Sequence, residues 1–324
     1  MIKYYTRKEY QKIAFLYDLG IMRKIEKLHI GYGGSAKVSV LTGKGKFVIS
    51  KNLISRGKGI VGKTKKSLQY EIEMLQTVKD LSVPHFIKSK NNNFVEKFKD
   101  AWVSVYFFIP GKPPKNITKK MAYQLGGFFG SFHKKSAKFQ TKLVSRRRYY
   151  DLSPVVMDKM RPFAYNQENP ILKKVVAEVE RGVINNRPSK KLLVGPIHVD
   201  PYSKNELFQG EKLTGIIDFG NFYLGPQMVD VGKCIMWNCC FDRKIDINLT
   251  RYFIKGYLSS RKLNSDETRY LKKAILYAIY SHIWVDLYHI PLKYVPESYT
   301  LFLVDNFLPV ARQIEKTSFK IDLN

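Results

Sequence analysis

The sequence predicts an α+β protein with two lobes, a small lobe built on an antiparallel sheet and a larger, mainly helical lobe. Short alternating or apolar runs separated by glycine and proline turns predict strands early in the chain. Later segments, with apolar residues at three- and four-residue spacing, predict helices. A length of 324 residues, 44% of them hydrophobic, provides enough apolar material for two cores.

The first lobe opens with a predicted helix within residues 1–28, for which Gly20 would be the stop. A β-hairpin follows, because Val38 and Val40 alternate with small or polar residues and the segment 43–45 (GKG) has turn chemistry. Residues 67–81 place their apolar side chains on one face and predict a second helix.

The boundary between the lobes is predicted near the turn-rich FIPGKPP segment. We expect an N-terminal nucleotide-binding lobe over residues 1–104, a linker or hinge over 105–112, and a C-terminal catalytic and acceptor-binding lobe over 113–324. The C-terminal lobe should begin with a helix from about residue 118 to 136, continue with short strands between 194 and 224, and be mainly helical afterwards.

The chain is strongly basic, with 56 Lys and Arg residues against 27 Asp and Glu and a formal net charge of +29. Such a charge is compatible with a nucleic acid or another polyanionic partner. It is also compatible with a Lys-rich background composition. The basic residues are scattered rather than gathered in one arm, so a nucleic-acid partner is possible but not favoured.

The three cysteines, Cys234, Cys239 and Cys240, lie within seven residues of one another, so they cannot form a disulfide framework and are expected to be buried. The longest apolar run, residues 101–109, is too short to span a bilayer as a helix. The first twelve residues lack the apolar core of a signal peptide. We therefore expect a cytoplasmic protein without a membrane partner; no feature of the sequence indicates an oligomeric state.

The clearest motif begins with His198-x-Asp200 and Asn205, which follows the aspartate by five residues. Asp218-Phe219-Gly220 comes next, thirteen residues after the asparagine. This order matches the H-x-D-x-x-x-x-N and D-F-G elements of kinases, and each element adjoins a predicted strand. Either element alone could be a capped turn. Together with the order of the lobes, they favour a bilobal fold like that of protein kinases.

The residue types suit phosphoryl transfer, in which negative charge spreads over the transferred group. Asp218 offers a carboxylate and Asn205 an amide oxygen, which are the hard ligands that Mg²⁺ prefers. Asp200 is then free to accept or orient the proton of an attacking hydroxyl. The sequence thus predicts ATP and Mg²⁺ as cofactors. We assign His198 to bracing the loop and not to catalysis.

Two groups of residues are candidates for contacts with the nucleotide. Gly33, Gly34 and Ser35 precede a strand and could let backbone amides approach phosphate oxygens, although an ordinary turn explains them equally well.

The strand lysine of kinases would fall at Ser50. Lys51 is adjacent but should point to the other face of the strand. Glu71 is a better helix partner for such a lysine than Glu73. The sequence has no V-A-I-K or A-P-E motif, which argues against a protein kinase.

These motifs, with the segments GKFVIS, FFIPGKP, LGGFFGSFHKKS and VDVGKCIMWNCCFD, resemble the aminoglycoside phosphotransferase and choline kinase superfamily. Within it, the chain is most similar to bacterial-type homoserine kinases over most of its length. The resemblance implies Asp200 as catalytic base, Asn205 and Asp218 as Mg²⁺ ligands, and Asp230 as a buried brace. It also implies that a hydroxyl residue can replace the strand lysine.

The resulting hypothesis is a small-molecule kinase that phosphorylates an alcohol, with homoserine as the first candidate. Another amino alcohol, a sugar or an aminoglycoside remains an alternative, and an aminoglycoside is less attractive because acids are few. A catalytically weak kinase fold that binds an anionic partner is a second hypothesis. Retention of Asp200, Asn205 and Asp218 argues against it.

Overall fold

A computed structural model describes residues 3–28, 35–54, 62–141 and 150–317. The chain divides into two compact units, Met1–Pro110 with Gln140–Arg146, and Gly111–Phe139 with Arg147–Asn324. The described part of the first unit holds an antiparallel sheet and two helices, and that of the second is mainly helical. The predicted α+β, kinase-like fold is confirmed.

The first unit contains two helices and six strands within the described residues. They are α1 (Arg7–Leu16), β1 (Met22–Lys27), β2 (Ser35–Thr42), β3 (Gly45–Leu53), α2 (Lys65–Thr77), β4 (Phe86–Ile87), β5 (Val95–Phe98) and β6 (Ala101–Phe107). The strands form one sheet in the order β1-β2-β3-β6-β4, with β5 paired to β6. The predicted hairpin corresponds to β2 and β3, whose register pairs Thr42 with Gly45 across the turn.

The first helix is shorter than expected. A capping box formed by Thr6 and Glu9 starts α1, and the helix ends at Leu16, before the predicted stop at Gly20. Gly20 adopts a positive φ of 81°, and β1 begins at Met22. The side chains of β1 do not alternate strictly between buried and exposed, so the sequence did not predict a strand here.

The second unit contains seven helices and six strands within the described residues. The helices are α3 (Lys119–Ser136), α4 (Pro154–Ala164), α5 (Pro170–Asn186), α6 (Met228–Cys239), α7 (Ile247–Ser260), α8 (Ser265–His289) and α9 (Glu297–Lys316). The strands are β7 (Val194–Ile197), β8 (Glu206–Gln209), β9 (Lys212–Ile216), β10 (Tyr223–Pro226), β11 (Cys240–Phe241) and β12 (Lys244–Ile245). All three cysteines are buried and unpaired, as predicted.

The helices α3 and α7 approach each other closely because glycines form the contact. A Cβ atom added at Gly126 would lie 1.9 Å from the carbonyl oxygen of Phe253, and one added at Gly130 would lie 2.5 Å from that of Tyr257. The contact therefore sets the distance between α3, which carries His133, and α7, which carries Tyr257.

None of the helices that the structure describes is long and apolar enough to cross a membrane.

We predict that Gly126→Ala lowers the free energy of unfolding by about 3 kcal/mol, because the added methyl group cannot fit without separating the two helices. Gly127→Ala is the matched control. Its Cβ would meet its nearest neighbour, the carbonyl oxygen of Gly256, at 3.7 Å, so the variant should gain up to about 1 kcal/mol from helix propensity. Urea denaturation of both variants measures the difference, and equal stabilities would contradict the close contact.

Candidate active site

The β8–β9 hairpin brings together two of the motif residues. Its register pairs the first residue of β8 with the last residue of β9. Asn205 immediately precedes β8, and Ile217 immediately follows β9, so the backbone N–H of Ile217 donates to the carbonyl of Asn205 over 2.9 Å. Asp218, the next residue, therefore lies at the same end of the hairpin as Asn205.

Asn205 also joins this end of the hairpin to Asp200. Its Nδ2 donates to the backbone carbonyl of Asp200 at 3.0 Å and lies 3.3 Å from the Oδ2 atom of the same residue. Because the amide nitrogen of Asn205 is turned towards Asp200, its Oδ1 is directed elsewhere and can act as an oxygen ligand. The structure thus brings Asp200, Asn205 and Asp218 into one site.

The environment of Asp200 favours its protonated form. Burial raises the pKa of this carboxyl, and the negative charge of Asp218 raises it further, while His198, Lys233 and the hydrogen bond from Asn205 act in the opposite direction. A carboxyl with a raised pKa accepts a proton more readily near neutral pH.

Asp218 has left-handed backbone angles, with φ 68° and ψ 54°, and its side chain is exposed. The residue after it, Phe219, is fully buried. Its ring lies 4.4 Å from that of His198 and 5.5 Å from that of Phe132, measured between centroids. The phenylalanine anchors the segment, and the uncommon backbone conformation turns the carboxylate outward.

Asp230, at the start of α6, holds the loop before Asp200. Its carboxylate is fully buried and accepts from the backbone N–H groups of His198 at 2.5 Å and Val199 at 2.8 Å. Val199 has a φ of 79°, which is strained for a β-branched residue. The contacts of Asp230 stabilise this conformation, and they match the bracing role implied by the family resemblance.

A buried histidine, His133 of α3, completes the hydrogen bonding of this carboxylate. Its Nε2 lies 3.2 Å from Oδ2 of Asp230, and its Nδ1 lies 2.8 Å from the hydroxyl of Tyr257. Burial lowers the pKa of His133, although Asp230 raises it, so the neutral ring donates to Asp230 and accepts from Tyr257. Our sequence reasoning did not identify His133.

His198 braces the loop, as predicted. Its Nδ1 accepts from the backbone N–H of Asp200 at 3.2 Å, and its Nε2 donates to the carbonyl of Ile217 at 3.0 Å. The ring therefore links the segment before Asp200 to the segment before Asp218. These contacts use both ring nitrogens, so no ring nitrogen remains for a proton-transfer role.

Glu206 and Asn238 form a second support that the sequence analysis missed. Nδ2 of Asn238 donates to Oε1 of Glu206 at 2.8 Å and lies 3.5 Å from the carbonyl of Pro201. The remaining atoms, Oε2 of Glu206 and Oδ1 of Asn238, are buried and have no hydrogen-bond partner among the described residues. Burial raises the pKa of Glu206 to about 8. A neutral Glu206 still accepts from Asn238 at Oε1, and it avoids the cost of burying a negative charge without a cation beside it.

In the first unit, Ser50 and Lys51 are both buried on β3 but face opposite sides of the sheet, as the strand alternation predicts. The Nζ atom of Lys51 lies 3.1 Å from the carbonyl of Lys3, 3.3 Å from a carboxylate oxygen of Asp100 and 3.9 Å from the ring centroid of Tyr5. The ammonium group of Lys51 thus already has partners, which are Lys3, Tyr5 and Asp100.

Glu71 has a lysine partner, but not the predicted one. Its Oε2 lies 3.1 Å from Nζ of Lys63, and both side chains are largely buried. Lys63 forms a parallel bridge with Ile54, just beyond the end of β3. Glu73 instead accepts from Thr141. The sequence carried no signal for Lys63, because the pair depends on the path of the chain after β3.

The glycine turn is only partly described. Gly33 and Gly34 lie outside the described residues. Ser35 is the first residue of β2, pairs in register with Asn52 of β3, and is half-buried.

Comparison with known proteins gives consistent results. The profile of a family described as "Phosphotransferase enzyme family" matches residues 34–270. Two relatives are the homoserine kinase of Neisseria meningitidis serogroup B, 25% identical over 48% of this chain and 50% of that protein, and the homoserine kinase of Pseudomonas aeruginosa PAO1, 23% identical over 79% of each. The chain spans about half the length of the first of these relatives.

Two solved structures share the fold over nearly the whole chain. One is the amicoumacin kinase hAmiN in complex with AMP-PNP, Ca²⁺ and amicoumacin, with a TM-score of 0.70, 16% identity, and coverage of 98% of this chain and 96% of that chain. The other is a microcompartment-associated aminopropanol kinase, with a TM-score of 0.68, 14% identity, and coverage of 98% and 100%.

The Glu206–Asn238 pair leads to a pH prediction. Because the folded-state pKa of Glu206, about 8, exceeds its ordinary value of 4.5, folding binds a proton between these limits. The stability contributed by this protonation is present below about pH 4.5 and is lost as the pH rises towards 8. Glu206→Gln keeps a side-chain oxygen that can accept from Nδ2 of Asn238 but cannot ionise. Relative to this variant, the wild type should lose up to about 1.4 kcal/mol per pH unit across the window.

Urea denaturation in EDTA between pH 5 and pH 8 measures this difference. Glu211→Gln, at an exposed glutamate between β8 and β9, is the control and should follow the wild type at every pH. A constant difference between the wild type and Glu206→Gln would refute the protonated pair.

Proposed function

We propose that this chain, which belongs to the phosphotransferase enzyme family and is a small-molecule kinase, phosphorylates a hydroxyl group of a small amino alcohol with ATP, homoserine being the first candidate. The observation that carries the proposal is the convergence of Asp200, Asn205 and Asp218 at one end of the β8–β9 hairpin, on a loop that Asp230 and His198 hold.

In the proposed reaction, the acceptor oxygen forms a bond to the γ-phosphorus of ATP as the bond between that phosphorus and the bridging oxygen of ADP breaks. Asp200 accepts the proton released by the acceptor hydroxyl. Its raised pKa suits this role, and Asn205 fixes its orientation through two contacts.

The oxygen donors of the site fit a magnesium ion. Mg²⁺ usually takes one or two protein oxygens and completes its coordination with water and phosphate. We propose the exposed carboxylate of Asp218 and Oδ1 of Asn205 as these two ligands. The bound ion would neutralise charge on the ATP phosphates.

For the nucleotide side, we propose residues 1–104 as the binding lobe, 105–112 as the hinge and 113–324 as the catalytic and acceptor lobe. Gly33, Gly34 and Ser35 remain candidates for phosphate contact, and Ser50 for the position of the strand lysine. We propose that Lys63, which pairs with Glu71, provides the positive charge that contacts the ATP phosphates. Lys51 is not the candidate, because its ammonium group already contacts Lys3, Tyr5 and Asp100.

The acceptor assignment rests on the names of similar proteins, homoserine kinases in sequence and an aminopropanol kinase in fold. Sugars and aminoglycosides are the alternatives. We place the reaction in the cytoplasm, with a small alcohol as partner, and do not favour a nucleic-acid partner.

The mechanism predicts that Asp200→Asn lowers turnover alone, whereas Asp218→Asn lowers both turnover and ATP binding. Asp200→Asn keeps the side-chain shape but removes the base, so kcat should fall by about 100-fold or more while ATP affinity changes little. Asp218→Asn weakens an oxygen ligand, so both Mg²⁺-dependent ATP binding and turnover should fall. ADP production over a panel of alcohols, with calorimetric binding of ATP, separates the two effects.

Asp242→Asn, at an exposed turn, is the control and should keep wild-type activity. Full activity of Asp200→Asn on its preferred acceptor would show that the catalytic loop is wrongly assigned.

Substitutions of Lys63 and Lys51 provide a separate test of the nucleotide contacts. Lys63→Met should raise the KM for ATP by about tenfold or more, because a charge-assisted phosphate contact is lost. Lys51→Met should lower stability and leave the KM for ATP unchanged. The opposite result, a raised KM for Lys51→Met alone, would restore Lys51 to the nucleotide site.

A further inference from the structure

Helix α6 contacts the catalytic loop at two points, one on each side of Asp200. Asp230, in the first turn of the helix, accepts from the backbone N–H groups of the two residues that precede the aspartate. Asn238, in the last turn, has its Nδ2 atom 3.5 Å from the carbonyl oxygen of Pro201, which follows the aspartate. Asp230 and Asn238 are eight positions apart, about two helical turns, so they lie on one stripe of α6.

The second contact also holds the residue next to Asn205. The same Nδ2 atom of Asn238 donates to Oε1 of Glu206, the first residue of β8, over 2.8 Å. One amide nitrogen therefore contacts both ends of the segment 201–206. The side chains of Glu206 and Asn238 are buried, so the contact is shielded from solvent.

Hydrogen bonds within this segment connect Asp200 to Asn205. The backbone N–H of Tyr202 donates to the carbonyl of Asp200 over 2.8 Å, and the backbone N–H of Asn205 donates to the carbonyl of Tyr202 over 2.7 Å. Nδ2 of Asn205 donates to the Asp200 carbonyl over 3.0 Å. Because the segment is short and internally bonded, a shift of either end changes the distance between the proposed base and the proposed metal ligand.

The buried pair is an expensive way to fill the space beneath the loop. Oε2 of Glu206 and Oδ1 of Asn238 are buried and have no hydrogen-bond partner among the described residues. A partly satisfied polar pair contributes no more to stability than two apolar side chains of similar shape. Stability alone therefore does not account for the pair, whereas a directional contact with both ends of the loop does.

We propose that Asn238 is a positioning residue for phosphoryl transfer. By holding Pro201 and Glu206 at a fixed separation, its amide sets the distance between Asp200 and Asn205. Asn238 then affects the rate through the loop and not through contact with a substrate. This inference rests on the proposed kinase function, which assigns the base to Asp200 and a metal ligand to Asn205.

Two variants separate positioning from stability. Asn238→Leu removes both contacts and leaves the carboxyl of Glu206 without this donor, so stability and kcat should fall together. In the double variant Glu206→Leu/Asn238→Leu, apolar side chains replace both partners, so stability should return to the wild-type value or exceed it. Its kcat should stay at least about 10-fold below that of the wild type, because a misplacement of about 1 Å can cost roughly 100-fold in rate. The KM for ATP should change little.

Urea denaturation measures the stabilities, and ADP production from ATP with the preferred alcohol measures kcat and KM. Asn186→Leu is the matched control. Asn186, at the end of α5, is also a buried asparagine, and its Nδ2 donates to a carbonyl, that of Gly182, over 2.8 Å. This variant should lose stability and keep the wild-type kcat.

Hydrogen exchange of residues 199–207 in the full chain, followed by mass spectrometry, tests the contact without using activity. The backbone amides of Tyr202 and Asn205 should exchange about tenfold faster or more in both Asn238 variants than in Asn186→Leu, because the loop opens locally when its support is lost.

Two outcomes overturn the inference. One is a double variant that regains the wild-type kcat together with its stability, which would show that the pair is structural alone; this result stands even if Asn238→Leu fails to fold. The other is loop exchange in the double variant that equals that of Asn186→Leu. Failure of the kinase proposal gives a different result, in which the wild type phosphorylates no alcohol although exchange in the loop still depends on Asn238.

Discussion

The buried carboxylate of Asp230 is the interaction on which the geometry of the second unit depends. The loop before Asp200 leaves two backbone N–H groups, of His198 and Val199, without partners in a strand, and Asp230 accepts from both. His133 then orients the carboxylate from α3. Without these bonds, two donors would be buried unpaired and the strained Val199 would lose its restraint. One side chain thereby ties α6, α3 and the loop into a single arrangement.

The acids at the site are held by neutral groups rather than by ion pairs. Asp230 accepts from backbone N–H groups and a neutral histidine, Asp200 from Asn205, and Glu206 from Asn238. Neutral dipoles stabilise a carboxyl without burying a second charge, which avoids part of the desolvation cost of a buried ion pair. The net charge of +29 therefore says little about the site. The contrast between a basic chain and a site held by neutral groups is consistent with a Lys-rich background composition.

The order of the lobes, the β2–β3 hairpin and the long helices could be predicted because each depends on local periodicity and turn chemistry. The motif residues were identified for a similar reason, since kinase sites place them at fixed spacings along the chain. The pairs that join distant elements could not be predicted. Lys63 meets Glu71, and His133 meets Asp230, only because of how the chain packs. Lys233 lies within an apolar helical run, and such a charged residue is itself a sign of a buried polar site.

The unpaired oxygen of Glu206 has a consequence for how this protein could change. One oxygen of this buried carboxyl lacks a partner, so Glu206 is a point of local frustration. Selection for thermostability alone would favour an uncharged side chain that can still accept from Asn238 at this position. A more stable variant of this kind would lose an ionisable group next to Asn205 of the candidate site.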